Sequence, residues 1–146
     1  MNILASIYCN QYFELKKKGK EARARYNGTI LTTFALVIVL FASYILMITF
    51  FPDAEKEVNR FVRKTVGRTS GRMFGKILAG VLMIVSYLSI RYTLGTEKNY
   101  QKMIQTFEQL PVSSQEQISK KGLQTFIATI IFIGIALLAL LLKTYI

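Results

Sequence analysis

The chain has 146 residues, of which 52% are hydrophobic, and it carries 19 lysines and arginines against 8 aspartates and glutamates. A mean hydropathy of +0.36 together with a net charge of +11 requires that apolar and charged residues lie in separate parts of the sequence. With no histidine and a single cysteine, the composition excludes disulfide scaffolds, zinc sites built from cysteine or histidine, and bis-histidine haem sites.

Three stretches of the sequence, residues 29–51, 77–90 and 123–142, contain no charged residue. A helix of about 20 apolar residues crosses the hydrocarbon core of a bilayer. The sequence therefore predicts an all-α integral membrane protein, a single membrane domain over residues 1–146, with three transmembrane helices at residues 29–51, 77–92 and 123–142. The middle span is short, and a re-entrant or interfacial helix is the alternative for it.

The N-terminal segment, residues 2–25, combines an apolar stripe with a basic cluster. Apolar and aromatic residues recur at spacings of three and four, which predicts an amphipathic helix at the membrane interface: Leu4, Ile7, Tyr8, Tyr12 and Leu15. No cleavage pattern follows a long apolar run, so we expect the segment to be retained. The basic cluster before the first span predicts contact with anionic lipid, or a topology signal alone: Lys16, Lys17, Lys18, Lys20, Arg23 and Arg25.

The distribution of basic residues also bears on orientation. With three spans, eleven lysines and arginines lie on the side of the N-terminus and eight on the opposite side. Because cytoplasmic loops carry the excess of basic residues, we expect a cytoplasmic N-terminus and a C-terminus outside. If the middle segment did not cross, the balance of charge would favour the reverse orientation of the N-terminus.

The connection at residues 52–76 carries two stripes with a period of four. Residues four apart share a helix face, so one stripe is positive and the adjoining one has almost no side chains. The positive stripe predicts contact with lipid phosphates or an acidic partner: Arg60, Lys64, Arg68, Arg72 and Lys76. The small-residue stripe predicts close helix packing, or else a loop around its first two glycines: Gly67, Gly71, Gly75 and Ala79.

The second connection, residues 95–122, has apolar residues at helical spacing before Pro111 and a polar segment after it. This pattern predicts a helical hairpin, in which Ser113 and Glu116 form the capping box of a second helix that runs into the last span. The aromatic face of the first helix suits the membrane or the N-terminal helix, with a partner protein as the alternative.

The three uncharged stretches, residues 29–51, 77–90 and 123–142, contain no aspartate, glutamate, lysine or arginine, and no histidine is present to act as a base. We therefore expect no enzymatic activity, no cofactor, no metal and no nucleic acid. The sequence predicts a non-catalytic subunit or scaffold of a larger membrane assembly, in which Gly75, Ala79, Gly80 and Gly134 pack against neighbouring helices. The alternative is a homo-oligomeric pore whose ring is formed by the stripe from Gly67 to Ala79, or a membrane-permeabilising protein built on it.

Overall fold

A computed structural model describes residues 2–66 and 71–145, without the side chains of Pro52, Ala54, Glu55, Asn59, Val66, residues 71–75 and Leu78. Helices make up almost all of the described chain, as predicted. They are α1 (Ile3–Lys17), a 3-10 turn (Glu21–Arg23), α2 (Ala24–Phe50), α3 (Pro52–Val66), α4 (Gly71–Thr93), α5 (Glu97–Glu108) and α6 (Val112–Tyr145).

Helix α1 ends in a Schellman motif. Gly19 has a φ of 65°, a conformation that favours glycine, and the amide of Lys20 bonds to the carbonyl of Leu15 at 2.9 Å. Lysines in the last turn of α1 complement its C-terminal dipole. The turn reverses the chain, so that α1 and the first half of α2 form an antiparallel pair.

Helix α1 packs between α2 and α6. All six residues from Ala5 to Asn10 are buried. Ser6 lies beside Gly122 and Asn10 beside Ser119, so α1 runs antiparallel to α6. Of the predicted apolar stripe, Ile7 and Tyr8 are buried, and the rest is half-buried. The location of α1 at a membrane interface stays a prediction.

Helices α2 and α6 form the central pair. Ala42 and Ile45 of α2 are buried against Ala136 of α6, and half-buried leucine, isoleucine and phenylalanine side chains surround this contact. Lys143 near the end of α6 donates from Nζ to the carbonyl oxygen of Ile48 at 2.8 Å. The two helices therefore run parallel, as expected of two spans when the chain between them crosses the membrane once.

Helix α4 packs against α2 with the opposite direction. The last turn of α4 lies near Arg25 at the start of α2. Helix α3 leads from the far end of α2 back towards the start of α4. Pro52 opens α3, the position at which a missing amide proton costs nothing. A 63° bend at residues 94–96 separates α4 from α5.

Two helices of the described chain are long and apolar enough to cross a membrane, the first over Glu21–Phe50 and the second over Val112–Tyr145. The bent pair α4 and α5 would supply a third if it is one span. These helices coincide with the first and last predicted spans but are longer, because each continues into a polar flank at its N-terminal end. Helix α6 begins at Val112, one residue ahead of the predicted cap Ser113, with amides of its first turn bonded to the Pro111 carbonyl.

Candidate functional site

A groove of about 430 Å³ lies at the end of the helix bundle that contains the start of α2 and the end of α4. Its lining includes two arginines and two tyrosines, which can present positive charge and hydroxyl groups to one ligand. The lining residues are Ala22, Arg25, Tyr26, Thr29, Tyr87, Arg91 and Gly95. We call this the arginine groove.

The connection between α4 and α5 holds Arg25 in the groove. The Nε of Arg25 donates to the carbonyl oxygen of Gly95 at 3.1 Å, and its Nη1 lies 3.3 Å from a carboxylate oxygen of Glu97. A Cβ at Gly95 would lie 3.0 Å from both the Arg91 Cα and the Thr29 hydroxyl. A side chain at position 95 would therefore fit only if the connection or its neighbours shifted slightly. The guanidinium stays accessible, with 40% of the Arg25 side chain exposed.

The floor of the arginine groove is tied to α1 through a chain of hydroxyl groups. Tyr8 donates its hydroxyl to the Thr29 hydroxyl at 3.0 Å, and Thr29 donates to the carbonyl of Arg25 at 2.9 Å. Burial raises the pKa of Tyr8, so it remains a protonated donor. The Tyr8 ring covers Gly28, where a Cβ would lie 2.5 Å from the ring. Any side chain at position 28 would therefore displace the Tyr8 ring from this position.

Arg91 forms the opposite wall of the arginine groove. Its Nη1 lies 3.4 Å from the Tyr87 hydroxyl, and its guanidinium carbon lies 6.0 Å from the centroid of the Tyr87 ring. This is a weak cation–π arrangement at an exposed site. Because neither contact uses the whole guanidinium, Arg91 retains hydrogen-bond donors for a ligand.

A second groove, of about 250 Å³, lies next to the first between α2 and α4. Tyr87 belongs to both grooves, and the lining of the second presents only apolar atoms. Its residues are Ile30, Thr33, Phe34, Val37, Met83, Ile84 and Tyr87. Thr33 is compatible with an apolar lining because its hydroxyl donates to the Thr29 carbonyl at 2.8 Å and is not left unpaired in the groove. We call this the α2–α4 groove.

The first predicted basic cluster lies mainly on the end of α1 and the turn after it, and five of its six members are exposed. Lys16 pairs with Glu108, and its Nζ lies 5.3 Å from the Tyr12 ring centroid. The Nζ of Lys17 lies 3.5 Å from Glu14 and 4.1 Å from the Phe13 ring centroid. The remaining exposed members are Lys18, Lys20 and Arg23. Arg25 alone lines the arginine groove.

The second predicted basic stripe is described only in part. Arg60 and Lys64 are exposed on α3, where with Lys56 and Arg63 they line an open depression of about 620 Å³. Arg60 pairs with Glu57 at 3.0 Å, and Lys56 pairs with Asp53 at 3.3 Å. Both ion pairs are exposed, so they add little stability. Arg68 and the side chain of Arg72 lie outside the described residues, and Lys76 is exposed on α4.

Of the small residues predicted to pack helices, Gly80 and Gly134 make no close contact with another helix of the described chain. A Cβ at Gly80 or Gly134 would meet no atom within 4 Å, and Ala79 is exposed. Gly67 lies outside the described residues, and Gly71 and Gly75 lie where only the helical backbone is described. Whether these positions pack against other chains stays a prediction.

The close helix contacts within the chain involve other residues, which the sequence reasoning missed. A Cβ at Gly122 would lie 2.6 Å from the carbonyl carbon of Ser6 and 2.9 Å from the Asn10 Cβ. Asn10 donates from Nδ2 to the carbonyl and hydroxyl oxygens of Ser119 at 3.1 and 3.0 Å. The signal available in the sequence was the pair Ser119 and Gly122, which lies just ahead of the last apolar run and is typical of close helix packing.

Comparisons with protein-family models, curated sequences and solved structures found no significant match. Among residues 2–66 and 71–145 no group of three or more acidic, cysteine or histidine side chains is arranged to hold a metal ion.

Proposed function

We propose that this chain is a non-catalytic subunit or scaffold of a larger membrane assembly, with three membrane-spanning helices, α2, α4 and α6. Two observations support the third span. The last turn of α4 lies beside Arg25 at the start of α2, and α3 leads back to α4 from the other end of α2. Helix α4 therefore extends along α2 between the two ends of the bundle, as a crossing helix would.

The observation that carries the subunit proposal is the open position of Gly134 on α6 and of Gly80 on α4. Glycine within a helix costs about 1 kcal/mol relative to alanine, and neither glycine is needed by a contact among the residues that the structure describes. In membranes, small residues at helix surfaces allow other helices to approach closely. The faces of α4 and α6 around these glycines are therefore the proposed contacts with other membrane chains.

Exposed basic side chains support anchoring of the assembly to anionic lipid. At one end of the bundle lie the lysines at the end of α1 together with Lys120 and Lys121, and at the other end lie the basic residues of α3. In the proposed topology the first end, with more basic residues, faces the cytoplasm and the C-terminus lies outside.

The experiment for the subunit proposal is native mass spectrometry of the tagged chain, extracted in mild detergent from its host at natural abundance. We expect defined stoichiometry with different proteins, and loss of those proteins with Gly134→Leu. Ala128→Leu is the matched control, because Ala128 is exposed on a different face of α6. A closed ring of identical chains would contradict the subunit proposal and favour a homo-oligomeric pore.

The topology is tested separately by cysteine labelling in a Cys9→Ser background. A membrane-impermeant maleimide is applied to intact cells carrying one cysteine at position 18, 56, 98 or 144. We expect Lys18→Cys and Lys98→Cys to be protected while Lys56→Cys and Thr144→Cys react. Equal labelling of the variants at positions 56 and 98 would mean that α4 does not cross.

A further inference from the structure

The arginine groove and the α2–α4 groove share Tyr87 in their linings, so that side by side they present a charged end and an apolar end. Tyr87 lies at their junction, with its hydroxyl near Arg91 and its ring among the apolar lining. A molecule that fills both parts must carry an anionic group and an apolar chain in line with each other.

The charge of the polar end suits a single phosphate. Arg25 and Arg91 supply two positive charges to the lining, which contains no acidic residue. Glu97 pairs with Arg25 from outside the lining, and its side chain is 70% exposed. The groove therefore retains net positive charge, and the remaining guanidinium donors match phosphate oxygens.

The apolar end suits an acyl chain. From Ile30 to Val37 the groove follows α2 for about 10 Å along the helix axis. Its outer wall is formed by Met83 and Ile84, which are 46% and 60% exposed and leave the groove open sideways. A groove that opens sideways along two apolar helices admits a chain from the surrounding hydrocarbon without passage through water.

We propose that these two grooves together bind one anionic phospholipid, with its phosphate between Arg25 and Arg91 and one acyl chain between α2 and α4. This site goes beyond anchoring by exposed basic residues, because it specifies a headgroup charge, a chain and the residues that hold each. Thr29 on the groove floor links the site through its hydroxyl to Tyr8 of α1.

The test is lipid retention by the purified full chain, measured by native mass spectrometry. The chain is mixed with equal amounts of phosphatidylglycerol and phosphatidylcholine that have the same acyl chains. We expect phosphatidylglycerol to be retained preferentially, and Arg91→Gln to lower this preference about fivefold. Lys98→Gln is the control, because it removes one exposed positive charge from α5 outside the grooves. Equal losses in the two variants would overturn the proposal.

Two further measurements separate a bound lipid from a bound anion. Val37→Trp fills the apolar end without changing charge, and we expect it to reduce retention of both lipids. We expect millimolar inorganic phosphate not to displace phosphatidylglycerol. Unchanged retention in Val37→Trp with displacement by phosphate would mean an anion site without an acyl chain. A dimer that retains no lipid would mean that a second copy occupies the groove. Either result would overturn the proposal.

A gain of binding provides a third test. Glu97→Gln removes the carboxylate that pairs with Arg25, so we expect stronger retention of phosphatidylglycerol. A weaker retention, with an unchanged unfolding temperature, would contradict a phosphate at Arg25.

Discussion

The carboxamide of Asn10 donates to both the carbonyl and the hydroxyl oxygen of Ser119, which lies 109 residues later in the chain. Both residues are buried, so water does not replace these bonds when they are lost. This pair joins α1 to α6 at the level where Gly122 lets the two helices approach. The junction therefore combines a polar bond with close backbone packing.

The first prediction concerns the polar bond of this junction. We expect Asn10→Ala to lower the free energy of unfolding by about 1 to 2 kcal/mol, because the buried hydrogen bonds are removed without replacement. The measurement is the midpoint of thermal unfolding in detergent. Gln105→Ala, at an exposed position of α5, is the control and should leave the midpoint unchanged.

The second prediction compares two glycines of α6. We expect Gly122→Ala to lower the stability and to release α1, because the added Cβ would lie 2.6 Å from the carbonyl carbon of Ser6 and still closer to its oxygen. We expect Gly134→Ala to raise the stability by up to about 1 kcal/mol, since it meets open space and improves helix propensity. Thermal unfolding of the two variants gives the comparison. Similar effects of both substitutions would contradict the packing of α1 on α6.

The third prediction concerns pH. Hydrogen bonds from Lys16 and Tyr12 hold the pKa of Glu108 below its usual range, so its ionised form stabilises the contact between α1 and α5. A lowered carboxyl pKa gives stability that is present above the unfolded value, near 4.5, and is lost as the pH falls through the folded value. We expect Glu108→Gln to lower the unfolding temperature at pH 7 and the difference from wild type to shrink below pH 4.5.

The control for this pH dependence is Glu116→Gln, at an exposed position of α6. It should show no comparable difference that depends on pH. At the alkaline end the same contact is lost as the pH rises through the folded pKa of Lys16, which its bonds to Glu108 and Tyr12 raise. A difference between Glu108→Gln and wild type that grew on acidification would contradict the assigned role of Glu108.

The fourth prediction concerns the reactivity of Cys9. Its side chain is fully buried, and burial raises the pKa of the thiol to about 12. Because the thiolate is the reactive form, we expect Cys9 to resist maleimide in the folded protein and to react in denaturing detergent. A cysteine at position 18 in a Cys9→Ser background is the accessible reference. Equal rates for the two sites would show that α1 leaves the bundle under these conditions.

The helices were predictable where the sequence contains a long apolar run or a proline that ends a helix. Uninterrupted apolar runs identified α2 and α6, and Pro52 and Pro111 marked where α2 and α5 end. The continuation of α6 through Lys121 and Gly122 was predicted, whereas the start of α2 at Ala24, ahead of Gly28, was not. A helix in contact with another helix keeps its hydrogen bonds through residues that would end an isolated one.

The arginine groove was only partly predictable. Arg25 was selected for its charge beside a span, but Arg91, Thr29 and Gly95 each have an ordinary explanation in the sequence. They come together because the chain bends at residues 94–96 and returns to the start of α2. Such a juxtaposition depends on tertiary packing, which no local pattern encodes.

The position of α1 has a consequence for biogenesis. Its buried face is completed by α6, so the bonds of Asn10 to Ser119 form only after the last helix has been synthesised. Until then α1 can pair with α2 through Tyr8 and Gly28, while the side that carries Ser6 and Asn10 has no helix packed against it. Insertion of α6 therefore completes the packing of α1, and a chain halted before residue 119 lacks the Ser119 oxygens to which the Asn10 carboxamide donates.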